Sequence, residues 1–96
     1  MLGTMRQQLE EGLLTSESAN ELAEEMSLHL AALRNAGDIS NDAFLEAGVI
    51  QGGVSVLATM IDSGCNNEEL SSHLAQLSDR GTRICESYPE LADFLV

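Results

Sequence analysis

The sequence predicts an all-α protein, a small bundle of four main helices followed by a short C-terminal helix. Two observations carry this prediction: apolar residues recur at three- and four-residue spacing, and helix-capping sequences stand between the apolar segments. Residues 1–96 are expected to form a single acidic helical domain. Because a chain of this length buries only about 60–65% of its unfolded surface, we also expect it to form a homodimer.

The first helix is predicted over residues 4–13, where Gly12 interrupts a run of good helix formers. Its apolar residues stand at four-residue spacing: Met5, Leu9 and Leu13.

The second helix is predicted to begin within Thr15-Ser16-Glu17-Ser18. Ser18 and Glu21 would form a capping box, although Thr15 or Ser16 could equally be the cap. Gly37 can adopt a positive φ and is the predicted end of the helix. The predicted apolar stripe consists of Leu22, Met26, His29 and Leu33, widened by Leu30.

The third helix is predicted from a cap at Ser40, because Ile39 and Phe44 then stand at the two positions of a hydrophobic staple. Residues 43–61 are apolar almost all round, which is typical of a helix buried on every side. A membrane-spanning helix is the less favoured alternative, because Glu46 and Gln51 interrupt the apolar run and acidic residues flank it.

Three glycines inside this helix, Gly48, Gly52 and Gly53, each cost about 1 kcal/mol relative to alanine. Close backbone contact with another helix would explain them, and a kink or break at the glycine pair is the alternative. The contact hypothesis predicts a self-association seam formed by Gly48, Gly52, Val56 and Leu57.

Asn66 and Glu69 form a second capping box, which predicts the start of the fourth helix. Its seam follows heptad spacing: Leu70, Leu74, Leu77, Gly81, Ile84 and Tyr88. Pro89 is predicted to end this helix, and Ser87 with Glu90 can cap a last short turn. The apolar tail that follows either docks on the bundle or contacts a partner protein, and the residues predicted for partner contact are Leu91, Phe94 and Leu95, beside Val96.

Net charge excludes two classes of ligand. The chain has a formal charge of −12, and its four positive residues are all arginines. Direct binding to nucleic acid or to an anionic membrane needs a basic surface, so neither is expected.

Cys65 and Cys85 are too few for a disulfide scaffold, and no export signal is visible at the N-terminus, so we expect a cytoplasmic protein with reduced thiols.

Residues 24–33 and 68–77 resemble each other, with His29 and His73 in register. This similarity reflects either a duplicated helix or two helices that share an amphipathic pattern. A dinuclear metal site would need glutamates three residues before each histidine, and methionine and leucine stand there instead. We therefore expect each histidine to bond a nearby glutamate at the edge of the stripe, and we expect no metal or cofactor.

No phosphate-binding loop, zinc motif or nucleophile elbow is present in the sequence, so we expect no enzymatic activity. The favoured hypothesis is a regulator that binds and blocks a partner protein with a basic or hydrophobic surface, such as a DNA-binding transcription regulator or an effector. The alternatives are a nucleic-acid mimic that inhibits a nucleic-acid-binding complex, and an acidic dimeric secretion chaperone or assembly adaptor. A metal-storage bundle or an enzyme comes last.

Overall fold

The computed structural model describes residues 1–95, and within them every regular element is a helix, which confirms the predicted all-α class. Val96, which the sequence places in the apolar tail, lies outside the described residues. The elements are α1 (Leu2–Glu10), α2 (Ser16–Asn35), α3 (Asn41–Asp62), α4 (Asn67–Ser87), a 3₁₀ turn over Pro89–Leu91, and α5 (Ala92–Leu95).

Side-chain caps fix where α2 and α3 begin. The Thr15 hydroxyl accepts the Ser18 backbone N–H at 3.0 Å, and the Ser18 hydroxyl accepts the Thr15 N–H at 3.0 Å. The capping box therefore starts at Thr15, one of the predicted alternatives, and a Ser18–Glu21 box is wrong. The predicted cap of α3 is confirmed, because Ser40 Oγ accepts the Ala43 N–H at 3.0 Å.

The predicted capping box of α4 is also confirmed: Asn66 Oδ1 accepts the Glu69 N–H at 2.9 Å, and the Glu69 carboxylate accepts the Asn66 N–H. Gly37 ends α2 with a φ of +79°, as predicted. Gly12 has a φ of +72° and follows the end of α1, so the first helix stops at Glu10. Leu13 consequently lies outside α1 and is exposed, which corrects the predicted helix over residues 4–13.

Helices α2 and α4 both pack against α3, and each runs antiparallel to it. Helix α2 contacts one side of α3, where the Gln51 side chain donates to the Ala23 carbonyl, and α4 contacts another side. Helix α1 and the C-terminal turn with α5 pack against α4. The result is a molecule of 39 × 22 × 18 Å with α3 as its central helix, as the sequence predicts.

The contact surface of α2 differs from its predicted stripe. Its buried residues are Ala19, Ala23, Met26 and Leu30. His29 is exposed, and Leu22 and Leu33 are only half-buried, so part of the predicted stripe is wrong. Alanines allow α2 to approach α3 closely, which rotates the larger leucines to the edge of the contact.

Most of the predicted seam of α4 is confirmed, since Leu70, Leu74, Leu77, Gly81 and Ile84 are all buried. Tyr88 lies just beyond the end of α4 and is half-buried. The missing side chain at Gly81 is compensated within the same chain: a Cβ there would lie 3.1 Å from Leu2 Cδ1 of α1. The space beside Gly81 is therefore filled by the first helix.

Helix α3 runs as one segment through its glycine pair, which rules out a break there, the less favoured alternative. Within residues 1–95 it is the one helix long and apolar enough to cross a membrane, with a mean hydropathy of 1.5 over its most apolar window. Six of its residues are buried in the bundle: Ala43, Ala47, Ile50, Val54, Leu57 and Ala58. The prediction that it is buried on every side is wrong, because Leu45, Val49 and Val56 are exposed.

Candidate functional site

The outward side of α3 carries an exposed apolar surface. Leu45, Val49 and Val56 are 62%, 42% and 50% exposed. With Gly52 between them they stand at offsets of four, seven and eleven residues, which is one face of an α-helix. We call these four residues the α3 face.

The α3 face lies opposite the side of the helix that packs into the core. Ala47, Ile50 and Val54 lie on that opposite side and are completely buried. Helix α2 covers one flank and α4 covers the other, where Leu77 lies directly over Gly53. The bundle therefore leaves the α3 face uncovered between α2 and α4.

The predicted self-association residues do not all reach this surface. Gly48 and Gly52 have open space where a Cβ would lie, and Val56 is half-exposed. Leu57 is completely buried, because it lies one residue, or about 100°, round the helix from Val56 and faces the core. Leu57 is therefore not part of the exposed surface of α3.

The predicted partner-contact residues are buried within the fold. Pro89 redirects the chain at the end of α4, and the following residues fold back against that helix. Leu91 and Leu95 are completely buried, and Phe94 is 8% exposed and makes an edge-on contact with the His29 ring at 4.9 Å. The tail thus docks on the bundle, which is the first of the two alternatives that the sequence leaves open.

Leu45 and Val49 are not among the site residues that the sequence predicts, because both lie in the segment predicted to be buried on every side. Their four-residue spacing, continued by Gly52 and Val56, was visible in the sequence. A pattern with apolar residues on both sides of a helix does not show which side faces the core, so the signal was ambiguous.

Carboxylates are concentrated at one end of the α3 face. At the C-terminal end of α3, an open cleft of about 440 Å³ between α2 and α3 has carboxylates along its rim, and α4 adds two more beside Met60. We call this region the acidic end, and its carboxylates are Glu17, Glu21, Glu24, Asp62, Glu68 and Glu69.

The N-terminal end of α3 carries three of the chain's four arginines. Arg80 and Arg83 of α4 line a cleft together with Glu46 of α3. Arg34, in the last turn of α2, lies 4.9 Å from the centre of the Phe44 ring. We call this region the arginine end. It arises because α2 and α4 both run antiparallel to α3, with glutamates in their first turns and these arginines toward their C-terminal ends.

The two histidines have different surroundings, and neither bonds the glutamate expected for it. His73 is half-buried, and its Nε2 donates to the Gly53 carbonyl at 2.9 Å. His29 contacts the Phe94 ring. Within residues 1–95 no group of three histidine, cysteine, aspartate or glutamate side chains is arranged to hold a metal ion.

Cys65 and Cys85 are free thiols, and both are half-buried at the edge of the core. Burial raises the pKa of the Cys85 thiol, because the thiolate loses hydration there. A raised pKa lowers the thiolate fraction at neutral pH, so the environment of Cys85 is that of an unreactive thiol.

Comparison with known proteins adds no relative. No protein-family model matches the chain, and neither the curated proteins nor the solved structures give a significant match.

Proposed function

We propose that the protein is a non-enzymatic regulator that binds a partner protein through the α3 face and blocks it. The observation that carries this proposal is the position of Leu45, Val49 and Val56, three of the exposed large apolar residues, on one helix face opposite the core. Contiguous apolar surface of this kind marks interaction sites in folded proteins.

The size of the α3 face suits a reversible protein contact. Burying a leucine or valine side chain completely contributes about 1.5–3 kcal/mol, so covering the exposed parts of Leu45, Val49 and Val56 contributes roughly 2–5 kcal/mol. The rest of the affinity comes from the polar rim of the contact. An amphipathic helix or an apolar ridge on the partner would fit between α2 and α4.

The net charge of −12 favours a partner whose surface is basic around its apolar centre. Long-range attraction then speeds the encounter and orients the partner, while the apolar contact sets the lifetime of the complex. A DNA-binding transcription regulator or an effector has such a surface, and covering it would block the activity.

Nucleic-acid mimicry is the second candidate, and the observation that favours it is the acidic end. Carboxylates from α2 and α3 surround one cleft there, as phosphates surround a groove. Binding by mimicry would weaken steeply with salt, whereas binding through the α3 face would change little once the complex has formed.

The test is affinity capture from the native cell extract with the tagged wild-type chain, Leu45→Glu and Leu13→Glu. Leu45 and Leu13 are 62% and 63% exposed, but Leu13 lies in the loop between α1 and α2, so it is a matched control. We expect the wild type and Leu13→Glu to retain one stoichiometric protein, and Leu45→Glu to lose it. Equal retention by both variants would exclude the α3 face as the site.

A further inference from the structure

The 3₁₀ turn and α5 together form a short segment that closes one side of the bundle, and we call these residues, 89–95, the latch. We infer that the latch opens while α2, α3 and α4 stay folded, and that the groove beneath it then binds a short amphipathic helix of a partner protein. The inference goes beyond the proposed function, because the groove does not include the α3 face.

The connection between α4 and the latch is a hinge. Pro89 has no N–H and cannot continue the hydrogen-bond ladder of α4, and Tyr88 before it has a non-helical φ of −131° and ψ of +77°. The Leu91 N–H donates to the Tyr88 carbonyl at 3.0 Å. Within residues 1–95, no hydrogen bond and no ion pair joins residues 90–95 to any residue before Tyr88. The latch can therefore move about Tyr88 without breaking a hydrogen bond of α4.

Three apolar side chains hold the latch in its groove. Leu91 and Leu95 are completely buried and Phe94 is 8% exposed. Their spacing of i, i+3 and i+4 places all three on one face of a helical turn. Phe94 packs edge-on against the His29 ring of α2, while Leu95 lines a cleft of about 190 Å³ together with Leu2 of α1 and residues of α4. The groove is thus formed by α1, α2 and α4, and it holds the latch by apolar contact.

The latch has little stability of its own. Helix α5 has four residues, whereas an isolated helix shorter than about 12–15 residues is marginal in water. Its helical form therefore depends on docking, and undocking returns conformational freedom to the backbone of the segment.

The three long helices do not depend on the latch in this way. Helices α2, α3 and α4 have 20, 22 and 21 residues and pack directly against one another. They share a core in which Met26, Ile50 and Leu57 are completely buried. Local opening of the latch therefore requires less free energy than global unfolding.

The docked latch shows which kind of ligand the groove fits. It is one turn of helix with large apolar residues at i, i+3 and i+4, so a partner helix with the same spacing makes the same contacts. Because the latch is covalently linked to its groove, it competes at an effective concentration of about millimolar. Only a partner helix that binds more tightly than the latch displaces it, so the latch excludes weak ligands.

Native-state hydrogen exchange of the wild-type chain tests the opening. After correction for intrinsic rates, the amide protons of residues 91–95 should exchange at least about 100-fold faster than those of Ile50 and Val54. Both of these α3 residues are completely buried, so their amides report on global unfolding. Equal protection of the latch and α3 would show that the latch opens only when the whole chain unfolds, and would overturn the inference.

Binding of a labelled peptide tests the groove. The probe is a synthetic peptide with the sequence of residues 87–95, and the control peptide has serine in place of Leu91, Phe94 and Leu95. By fluorescence anisotropy, the probe should bind the double variant Phe94→Ser/Leu95→Ser at least about tenfold more tightly than the wild type, because the latch of that variant no longer competes. Asp93→Ser is the matched control variant, since Asp93 is exposed on the latch, and it should bind the probe as the wild type does.

Circular dichroism of the double variant decides the outcomes. Retained helix content with no binding of the probe, or with equal binding of the control peptide, would remove the groove as a binding site. Loss of the fold in the double variant would contradict the independence of α2, α3 and α4 from the latch. Leu45→Glu should bind the probe as the wild type does, so capture by that variant tests the proposed function separately from the latch.

Discussion

Replacing Gly53 by alanine tests the packing of α3 against α4, and Gly52 provides a control one residue away. Both glycines lie in the interior of α3, where alanine is favoured over glycine by about 0.5–1 kcal/mol. A Cβ at Gly52 meets nothing within 4 Å. A Cβ at Gly53 would overlap Leu77 Cδ2 and lie 3.2 Å from Leu77 Cδ1 and Cγ.

The expected magnitudes follow from these surroundings. Gly52→Ala should stabilise the fold by about 0.5–1 kcal/mol. At Gly53 the same gain is opposed by overpacking, which costs about 1–3 kcal/mol because Leu77 is only 8% exposed and its neighbours restrict a new rotamer. Gly53→Ala should therefore be less stable than Gly52→Ala by about 1–3 kcal/mol, or by at least about 4 °C in Tm for a domain of this size.

The assay is urea and thermal unfolding followed by circular dichroism at two protein concentrations, because self-association would make Tm depend on concentration. Leu77→Ala in the Gly53→Ala background adds a second control: with the Leu77 methyl groups removed, the alanine at position 53 should become favourable. Equal stability of the Gly52→Ala and Gly53→Ala variants would refute the close contact between α3 and α4.

Two further predictions concern a helix start and a thiol. Asn66→Ala should destabilise the fold by about 1 kcal/mol, because the Glu69 N–H loses its acceptor. Asn67→Ala, just inside α4, should change the free energy of unfolding by less than half as much. Chemical denaturation of both variants checks the difference. The raised pKa of Cys85 predicts that iodoacetamide alkylates this thiol more slowly in the folded chain than in urea. The alkylation rate should rise as pH increases through that pKa. Equal rates in the folded and unfolded states, read by mass spectrometry, would contradict the burial of this thiol.

Local chemistry decided much of the fold, and this is the part that the sequence predicts well. A serine or asparagine cap accepts a hydrogen bond from the backbone N–H three residues along. A glycine can end a helix because it adopts a positive φ without help from distant residues. The starts of α3 and α4 and the end of α2 were predictable for that reason. The start of α2 was ambiguous because neighbouring serine and threonine residues can each act as the cap. The end of α1 was misplaced because a glycine such as Gly12 can either lie inside a helix or terminate it.

The candidate site depended on contacts between distant residues, so its prediction succeeded only in part. Gly48, Gly52 and Val56 do lie on the outward side of α3, but Leu57 does not. Only the positions of α2 and α4 determine which side of an all-apolar helix remains uncovered, and those positions follow from packing over the whole chain.

The sequence by itself determined the helical class, the caps, the acidic charge and the absence of a basic surface, because each depends on composition or on residues within a turn of one another. Tertiary structure alone decided that the C-terminal tail is buried and that α1 fills the gap at Gly81. It also brought six carboxylates together at the C-terminal end of α3 and placed Arg80 and Arg83 in a cleft with Glu46 near its N-terminal end. The physical reason is that burial and electrostatic grouping are properties of helices brought together by the fold, and residues far apart in the chain become neighbours only there.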